Sequence, residues 1–393
     1  MENSKTQLTT NLIKILNRGV ETIRPYVPGK SIQEVIRERG LKNIIKMASN
    51  ENPLGLSPAA YKAIKKSLKD SYQYPEVSAR KLREALSKAN RVPPDYIMVG
   101  NGADEIIYTV AMTFLNEEDE VIIPEITFSM YEIVSLAMRA RVVKSKMENL
   151  KIDLNDILKK ITVKTKMIFL CNPNNPTGNL LEKEKLLNFI REIPNEIIII
   201  HDECYSEFAN KTIFPNLIPF IYPQTAPNKN SAEEIKSYNN ILLLRTFSKI
   251  YGLAGVRLGY GIAHPSMLEL MYRVRPPFGV SVPAQEAGIA ALGDNDFLKK
   301  TLEITNDGKE YIYGELEKMG LSYVKSHTNF ILIDTKRDCI TVSEKMISKG
   351  IIIRPMKSYG LPTYIRVTIG LKKHNERFIK SLKQVIDEVK EQR

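Results

Sequence analysis

Short, unbroken apolar runs recur through the middle of the chain, and amphipathic stretches separate them. Runs of this length, rich in isoleucine, valine and leucine, are typical of strands buried on both faces of a parallel sheet. The strand candidates are residues 97–99, 121–123, 167–170, 197–200 and 241–244. Because helical patterns lie between them, the sequence predicts a large α/β domain with a mostly parallel central sheet sandwiched by helices.

Helix signals fall between these apolar runs. Ser57 followed by Pro58 is typical of an N-cap and a first helical position, and Ile64 and Leu68 then lie on one face. A second helix with the same apolar spacing is predicted over residues 82–89. Both helices are of the kind that covers a face of such a sheet.

The last third of the chain has a different pattern. A long helical stretch over about residues 297–319 precedes further strand candidates, and a closing helix begins near His374. The strand candidates here are residues 330–333, 351–353 and 365–369. The order predicts a smaller α+β domain. A segment rich in Pro, Asn and Ser, Pro215 to Asn240, is expected to be a surface insertion. The predicted parts are an N-terminal helix and arm (residues 1–48), a large domain (residues 49–285) and a small C-terminal domain (residues 286–393).

Composition and charge narrow the class of protein. The 393 residues are 43% hydrophobic and 26% charged, and no apolar run approaches the roughly 20 residues that span a bilayer. The N-terminus lacks the order of a secretory signal, and three cysteines cannot all pair within one chain, which favours a cytoplasmic location. The net charge of +12 admits a nucleic-acid-binding or regulatory module as an alternative. Because the lysines are scattered along solvated helices, we expect neither a nucleic-acid nor a membrane partner.

The strongest chemical signal lies just past the last run of the predicted sheet. Lys249 is flanked by the hydroxyl residues Thr246 and Ser248, and Arg257 follows a few residues later. An amine in this position can form a Schiff base with the aldehyde of pyridoxal 5′-phosphate (PLP), while the hydroxyls and the guanidinium can hold the phosphate. The segment therefore predicts a PLP site.

Two loops follow other predicted strands, at the edge of the sheet where open α/β sheets bind ligands. Gly100–Glu105 opens a helix whose free N–H groups can receive a phosphate. It begins like a dinucleotide fingerprint but lacks the third glycine, and an ordinary turn is the alternative. Asn172–Gly178 contains two prolines and a glycine, which fix an unusual turn. Asn175 in this loop is a candidate donor to the phenolic oxygen of PLP, with a rigid loop that binds nothing as the alternative.

A third cluster, Asp202–Tyr205, follows the isoleucine-rich run. A carboxylate at the end of a buried strand needs a cationic partner, and a protonated pyridine nitrogen would provide one. The alternatives are a helix cap and a metal site that includes His201 and Cys204. Because adjacent residues on a strand point to opposite faces, we predict no metal.

Taken in order, these motifs resemble the fold-type I PLP-dependent enzymes of the class I/II aminotransferase family, and the likeness covers nearly the whole chain. Within that family the sequence is most similar to the histidinol-phosphate aminotransferase branch. The shorter motifs that carry this likeness are Arg24-Pro25-Tyr26 with Pro28-Gly29-Lys30, Ser49–Gly55, Tyr74-Pro75, Gly102–Glu105, Arg275–Phe278 with Val280-Ser281, Thr328–Phe330 and Arg366–Gly370.

The resemblance implies a role for each matching residue. Lys249 is expected to be the Schiff-base lysine, Asp202 the partner of the pyridine nitrogen, and Tyr205 a ligand of the phenolic oxygen. These are the expected catalytic residues. The residues expected to bind the cofactor are Gly102, Ala103, Asp104, Phe128, Asn175, Asp202, Tyr205, Thr246, Ser248, Lys249, Arg257 and Tyr74. Because Tyr74 would act from the neighbouring subunit, the resemblance also implies a homodimer.

The implied reaction is transamination of L-histidinol phosphate with 2-oxoglutarate, which gives imidazole acetol phosphate and glutamate in histidine biosynthesis. Forked arginine donors suit both the phosphate and a carboxylate, so Arg354 and Arg366 are the anion-binding candidates. Tyr26 is expected to close over the same group from the other subunit. The residues expected to bind substrate are Tyr26, Asn52, Asn175, Arg354 and Arg366. The alternatives are an aromatic amino-acid aminotransferase on the same scaffold and a decarboxylase of a phosphorylated amino acid.

Overall fold

The computed structural model describes residues 12–26, 28–225 and 237–389, and its strands form one large sheet and three smaller ones. In chain order the strands are β1 (Ile45–Lys46), β2 (Ile97–Gly100), β3 (Glu120–Pro124), β4 (Arg141–Ser145), β5 (Met147–Glu148), β6 (Lys151–Ile152), β7 (Thr165–Cys171), β8 (Ile198–Asp202), β9 (Ile241–Thr246), β10 (Gly259–Ala263), β11 (Ser322–Tyr323), β12 (Phe330–Asp334), β13 (Ile351–Ile352), β14 (Arg354–Pro355) and β15 (Tyr364–Thr368).

The helices of the described residues alternate with the strands of the large sheet and then cluster near the C-terminus. They are α1 (Arg18–Glu21), α2 (Ile32–Arg39), α3 (Pro58–Ser67), α4 (Arg80–Asn90), α5 (Gly102–Phe114), α6 (Met130–Ala137), α7 (Leu154–Lys159), α8 (Lys183–Glu192), α9 (Ile218–Ile221), α10 (Pro265–Tyr272), α11 (Val282–Leu292), α12 (Asn295–Lys318), α13 (Cys339–Ser348) and α14 (Lys372–Glu388). Within this part of the chain, no helix is long and apolar enough to cross a membrane.

The large sheet has seven strands in the order β2-β10-β9-β8-β7-β3-β4. The neighbouring pairs are parallel, except the two in which β10 takes part. Apolar layers lie on both faces, and alternate residues of β8 enter them, with Ile199 on one side and Ile200 on the other. Helices α4, α8 and α11 cover the first face and α5, α6 and α10 the second. The predicted fold class is therefore confirmed.

The later strands build a smaller antiparallel sheet, ordered β11-β12-β15-β14. Its core includes Ile331 and Val367 together with side chains from α12, α13 and α14. Strands β1 and β13 pair in parallel, with Ile45 opposite Ile351, so the segment after the N-terminal arm is tied to this second unit. The boundaries given for the three parts of the chain stay a prediction.

Two strands of the large sheet, β4 and β10, are absent from the apolar pattern. Strand β10 contains Gly259 and Gly261, which weaken a strand signal because glycine has no side chain to pack. Gly259 is required by a close backbone contact, whereas Gly261 faces only the end of a side chain on the neighbouring strand. A Cβ on Gly259 would lie 2.5 Å from the backbone nitrogen of Ala103, and one on Gly261 would lie 2.9 Å from Leu242. Glycine here brings β10 directly against the start of helix α5.

The segment expected to be a surface insertion is partly core, so that prediction is wrong for its first third. Leu217, Phe220 and Ile221 are buried in the large apolar layer, because helix α9 turns them inward. Tyr238 returns to this helix, and its backbone nitrogen donates to the carbonyl of Phe220 at 2.7 Å. Residues 226–236 of the segment lie outside the described residues.

Candidate active site

A cavity of about 280 Å³ lies at the carboxyl ends of strands β7, β8 and β9, where Cys171, Asp202 and Thr246 reach it. The small sheet closes its other side. The predicted site residues that line it are Tyr26, Ala103, Asp104, Phe128, Asn175, Asp202, Tyr205, Thr246, Ser248, Lys249, Arg257, Arg354 and Arg366. Residues far apart in the sequence thus meet in one place. Their individual roles stay predictions.

Three predicted site residues do not line this cavity. Gly102 lies directly behind it, as described below. The amide of Asn52 donates to the carbonyl of Ile250 at 2.9 Å and to the hydroxyl of Thr301 at 3.1 Å, so its contacts are internal. Tyr74 is 81% exposed and stacks on Phe278, with 4.6 Å between the ring centroids. An exposed position leaves Tyr74 free to face another subunit.

Lys249 lies just beyond strand β9, and its amine points into the cavity. Its Nζ donates to the carbonyl of Ser49 at 3.5 Å and lies 5.6 Å from the centre of the Tyr205 ring. Burial and the nearby Arg366 guanidinium lower the pKa of Lys249 to about 8. The neutral, nucleophilic form of this amine is therefore far more populated near neutral pH than that of an ordinary lysine, whose pKa is about 10.5.

Asp202 ends strand β8 and is almost fully buried. Its carboxylate accepts from the Tyr131 hydroxyl at 2.6 Å and from the Cys204 backbone nitrogen at 2.9 Å. Burial raises the pKa of Asp202 above its ordinary value, although these hydrogen bonds oppose the rise. No lysine or arginine of the described residues forms an ion pair with it. The carboxylate thus faces the cavity without a cationic partner.

Two aromatic residues of the segment around Phe128 have different tasks. Tyr131 stacks flat on Phe169, with centroids 4.6 Å apart, and this contact aims its hydroxyl at Asp202. Phe128 meets the Tyr131 ring edge-on at 5.6 Å and lines the cavity. Phe128 precedes helix α6, is only partly buried and packs against the apolar layer on the second face of the sheet.

Tyr205 is held in place by Asn50, a residue of the Ser49–Gly55 motif. The amide of Asn50 donates to the Tyr205 hydroxyl at 2.8 Å. Thr368 fixes Asn50 in turn, because its hydroxyl accepts from the Asn50 backbone nitrogen at 2.9 Å. The Asn329 amide donates to the Asn50 carbonyl at 3.0 Å. Both of these partners belong to the small unit, so Asn50 couples that unit to the cavity.

The start of helix α5 faces the end of strand β9. The first N–H groups of a helix have no acceptor within the helix, and they carry its positive end. Gly102 has φ of +79°, and a Cβ there would lie 2.5 Å from Nη2 of Arg257. Arg257 itself pairs with Asp104 at 3.0 Å, and Thr246 accepts from the backbone nitrogen of Ser248 at 3.1 Å. This corner can hold a small dianion.

Two buried arginines face the other end of the cavity. Arg354 on β14 and Arg366 on β15 are directly opposite each other across the strand pair, which puts their side chains on one face. Arg366 donates to the Asn175 side chain and, at 2.8 Å, to the carbonyl of Ala48, but its Nε is buried without a partner. Arg354 is 6% exposed, and its guanidinium makes no hydrogen bond or ion pair with any described residue. The pair is a strong anion site.

The N-terminal arm reaches this anion site within its own chain. The ring of Tyr26 lies 5.5 Å from the guanidinium carbon of Arg354, and Tyr26 lines the cavity. The expectation that this tyrosine comes from the other subunit therefore does not match the structure. The physical reason is that the β1–β13 pairing anchors the chain just after the arm, close to Arg354. Val27, next in the sequence, lies outside the described residues.

Comparison with known proteins identifies the family. A model described as aminotransferase class I and II matches residues 42–382. The chain belongs to this family. Among curated relatives of this aminotransferase, the histidinol-phosphate aminotransferase of Moorella thermoacetica is 40% identical over 94% of this chain and 92% of its own. That of Caldicellulosiruptor saccharolyticus is 42% identical over 93% of this chain and 99% of its own.

Solved structures show the same fold for this aminotransferase. A histidinol-phosphate aminotransferase from Sinorhizobium meliloti, in complex with pyridoxal-5′-phosphate, superposes with a TM-score of 0.84 at 24% identity, over 95% of this chain and 98% of that one. Aspartate aminotransferase from Thermus thermophilus with maleate gives a TM-score of 0.78 at 20% identity, over 95% and 99%. At these identities the likeness supports the fold alone.

Sequence reasoning missed several residues at the site. Asn50 and Tyr131 make the hydrogen bonds that hold Tyr205 and Asp202, and Tyr359 lines the cavity beside the two arginines. Tyr131 had a signal, since it follows Phe128 by three residues at the start of a helix. Among the described residues, no group of three or more His, Cys, Asp or Glu side chains could hold a metal ion.

Proposed function

We propose that this aminotransferase uses PLP to transfer the amino group of L-histidinol phosphate to 2-oxoglutarate, giving imidazole acetol phosphate and glutamate. The observation that carries the proposal is the pair Arg354 and Arg366. Two buried guanidiniums share one face, and no carboxylate of the described residues pairs with either. The names of the curated relatives support the same reaction, which belongs to histidine biosynthesis.

The residues present fit the proposed cofactor. Asp202 is a buried carboxylate without a cationic partner, which suits a protonated pyridine nitrogen. Lys249 offers a buried amine whose pKa is lowered to about 8. At the opposite corner Gly102 leaves room for Arg257, and the start of helix α5 can receive the phosphate with Ser248. Tyr205 and Asn175 lie between these corners and would bind the phenolic oxygen.

When bound, PLP supplies an electron-withdrawing ring that stabilises negative charge at the substrate α-carbon. The residues of the chain provide the rest. Lys249 Nζ, in its neutral form, takes the proton from the α-carbon. Asp202 would provide the negative charge that pairs with the ring nitrogen, and Tyr131 holds that carboxylate in place by its 2.6 Å hydrogen bond. Preorganised groups of this kind lose little energy to rearrangement during the reaction.

The same anion site must receive both substrates. Histidinol phosphate carries a phosphate ester where an amino acid carries its α-carboxylate, and a dianion gains more from a second guanidinium than a monoanion does. Arg366 would bind the carboxylate of glutamate or one edge of the phosphate. Arg354, which has free donors, would bind the remaining phosphate oxygens. Tyr26 covers Arg354 and would shield this contact from water.

We further propose a cytoplasmic homodimer. Tyr74, Phe278 and Tyr72 are exposed aromatic side chains, and the first two stack on each other. A second subunit that covers them would bring Tyr74 to the cofactor phosphate of its partner. Sedimentation of the purified protein at equilibrium measures this state directly. A monomer that binds PLP as tightly as the dimer would contradict the shared site.

The test of the reaction compares single-turnover half-reactions of the PLP-loaded protein with histidinol phosphate and with phenylalanine. We expect the apparent second-order rate constant to be about 100-fold higher for histidinol phosphate, because charge-assisted hydrogen bonds to a second arginine contribute about 1.5–3 kcal/mol. A preference for phenylalanine would instead identify an aromatic amino-acid aminotransferase. Protein that takes up no PLP would contradict both.

A further inference from the structure

A chain of buried polar side chains lies behind the cavity, on the opposite face of the large sheet from Asp202. Its central members are His201 and Glu203, the two neighbours of Asp202 in the sequence. Both are fully buried. Because alternate residues of a strand point to opposite faces, they point away from the cavity, and neither lines it. The proposed reaction leaves both without a task.

The chain of hydrogen bonds crosses three neighbouring strand ends. Arg245, at the end of β9, donates to Glu203 Oε2 from Nε at 2.7 Å and from Nη2 at 2.6 Å. His201 Nδ1 lies 3.0 Å from Glu203 Oε1. His201 Nε2 lies 3.2 Å from the side-chain nitrogen of Asn172, which follows β7. Asn90 of helix α4 extends the chain at its far end, since its Oδ1 accepts from Arg245 at 2.7 Å.

The direction of each hydrogen bond can be deduced. The Asn172 carbonyl oxygen accepts from the backbone nitrogen of Leu181 at 2.9 Å, so the amide nitrogen of Asn172 must face His201. His201 Nε2 is then the acceptor. The proton of the neutral ring is on Nδ1, which donates to Glu203. Every polar atom of His201 is thus used, and the negative charge of Glu203 is balanced by Arg245.

This series of hydrogen bonds ends on the loop that carries Asn175. Asn172 begins this loop, and through Leu181 it also fixes the far end. Its backbone nitrogen donates to the carbonyl of Asp202 at 2.8 Å. Asn175 lies between these two anchors and meets Arg366 in the cavity. An apolar residue would fill the place of His201 on the strand, as Ile199 does, but it could not hold Asn172.

We propose that His201 is a positioning residue, which through Asn172 holds the loop that presents Asn175 to the cavity. Glu203 fixes the tautomer of His201 and is therefore a second residue that positions this loop. The inference rests on the proposed PLP site, because Asn175 and Asp202 act on that cofactor. Supporting residues of this kind keep a binding group in its productive orientation without touching the ligand.

The experiment compares His201→Leu and the milder His201→Gln with the wild type. His201→Leu removes both hydrogen bonds, whereas His201→Gln keeps one amide that can still pair with Asn172. The matched control is Thr335→Val, which removes a fully buried hydroxyl of the small unit that donates at 2.8 Å to the Thr363 carbonyl. The readouts are the dissociation constant of PLP, the circular dichroism of the bound cofactor and the midpoint of thermal unfolding.

We expect His201→Leu to bind PLP about tenfold more weakly, with a changed cofactor dichroism, and His201→Gln to recover part of both. Thr335→Val should lower the unfolding midpoint but leave the PLP constant within twofold. If His201→Leu does not fold, His201→Gln still must differ from the wild type in the dichroism of the cofactor. Wild-type dichroism and affinity in the folded His201 variants would overturn the inference. Wild-type protein that binds no PLP would overturn the proposed function instead.

Discussion

Asp202 and Glu203 are adjacent buried carboxylates on opposite faces of the sheet, and they differ in whether the protein provides a partner for their negative charge. Burial raises the pKa of both, but around Glu203 the charge of Arg245 and the hydrogen bond from His201 outweigh burial, so that the pKa of Glu203 lies below its ordinary value. Around Asp202 burial prevails, and its pKa is raised. The chain balances one charge internally and leaves the other to be balanced from the cavity.

The same contrast recurs among the basic residues. Arg245 is paired with Glu203 and Asn90, whereas the Arg354 guanidinium has no acidic partner among the described residues and contacts the ring of Tyr26. Lys309 and Lys249 are both largely buried amines with lowered pKa values, but only Lys249 lines the cavity. Buried charge is costly unless it is paired. An unpaired charge that faces the cavity is therefore available to a ligand, whereas the charge of a buried ion pair such as Arg245–Glu203 is already balanced within the protein.

The largest expected effect separates the two buried lysines. Lys249→Ala should lower the transamination rate by about 10⁴-fold, because it removes the group that moves the α-proton. It should also abolish the absorbance of covalently bound PLP. Lys309→Met is the matched control, since the Lys309 amine donates only to the Ser326 carbonyl, at 3.3 Å. An equal loss of transamination rate in Lys249→Ala and Lys309→Met would contradict the difference proposed between these two lysines.

The two carboxylates give the next test. Asp202→Asn keeps the shape but loses the charge, and we expect the rate to fall by about 10²–10³-fold, as for a truncated buried charge pair worth about 3–4 kcal/mol. Glu203→Gln should instead act on stability, with a loss of about 3–5 kcal/mol in the free energy of unfolding, because Arg245 is left unbalanced. Steady-state kinetics and urea unfolding of both variants measure the difference. A larger rate loss for Glu203→Gln than for Asp202→Asn would reverse the interpretation.

The fold was largely accessible from the sequence because the large sheet is parallel and buried on both faces. Its strands, such as β7 and β8, are continuous apolar runs with polar residues directly after them. Strand β10 was not accessible, since its glycines are explained only by contacts with helix α5 and strand β9. Edge strand β4, with exposed Arg141, was missed because three of its five residues are polar.

The site likewise contains residues that the sequence predicted and residues that only the fold revealed. The sequence motifs bring Lys249, Asp202 and Arg366 to one cavity as expected. Residues that act on other side chains were missed, because only the fold shows their partners. Asn50 is 155 residues from Tyr205, and Tyr131 is 71 residues from Asp202. Internal contacts also explain why Asn52 is not at the cavity, although it lies in the same motif as Asn50.

The two arginines of the small sheet offer a test of substrate choice. Arg354→Gln should lower the single-turnover efficiency with histidinol phosphate by about 10–100-fold, the loss expected for charge-assisted hydrogen bonds. The efficiency with glutamate should fall much less, since Arg366 remains. Lys357→Met controls for net charge, because Lys357 is exposed on the turn that follows β14 and its only ion-pair contact among the described residues, with Asp338, is long at 3.8 Å. Equal losses with both substrates would mean that Arg354 binds the group they share.

The smallest effect follows from the amine of Lys249 in the protein without PLP. Its pKa of about 8 lies below the 10.5 of the unfolded chain, so between these values the unfolded state binds more protons. Stability must therefore rise with pH in this window, and the cost of burying the charge is fully present only below pH 8. Relative to Lys249→Met, the free energy of unfolding of the wild type should increase by about 1–1.5 kcal/mol from pH 8 to 9.5. Urea unfolding of both proteins at several pH values measures this difference. Titrating groups that the two proteins share contribute equally to both and cancel in the subtraction. If the difference in unfolding free energy between the wild type and Lys249→Met did not change with pH, the amine of Lys249 would be as well solvated in the cavity as an exposed lysine. Lys249 would then carry a charge that the folded protein tolerates without a ligand.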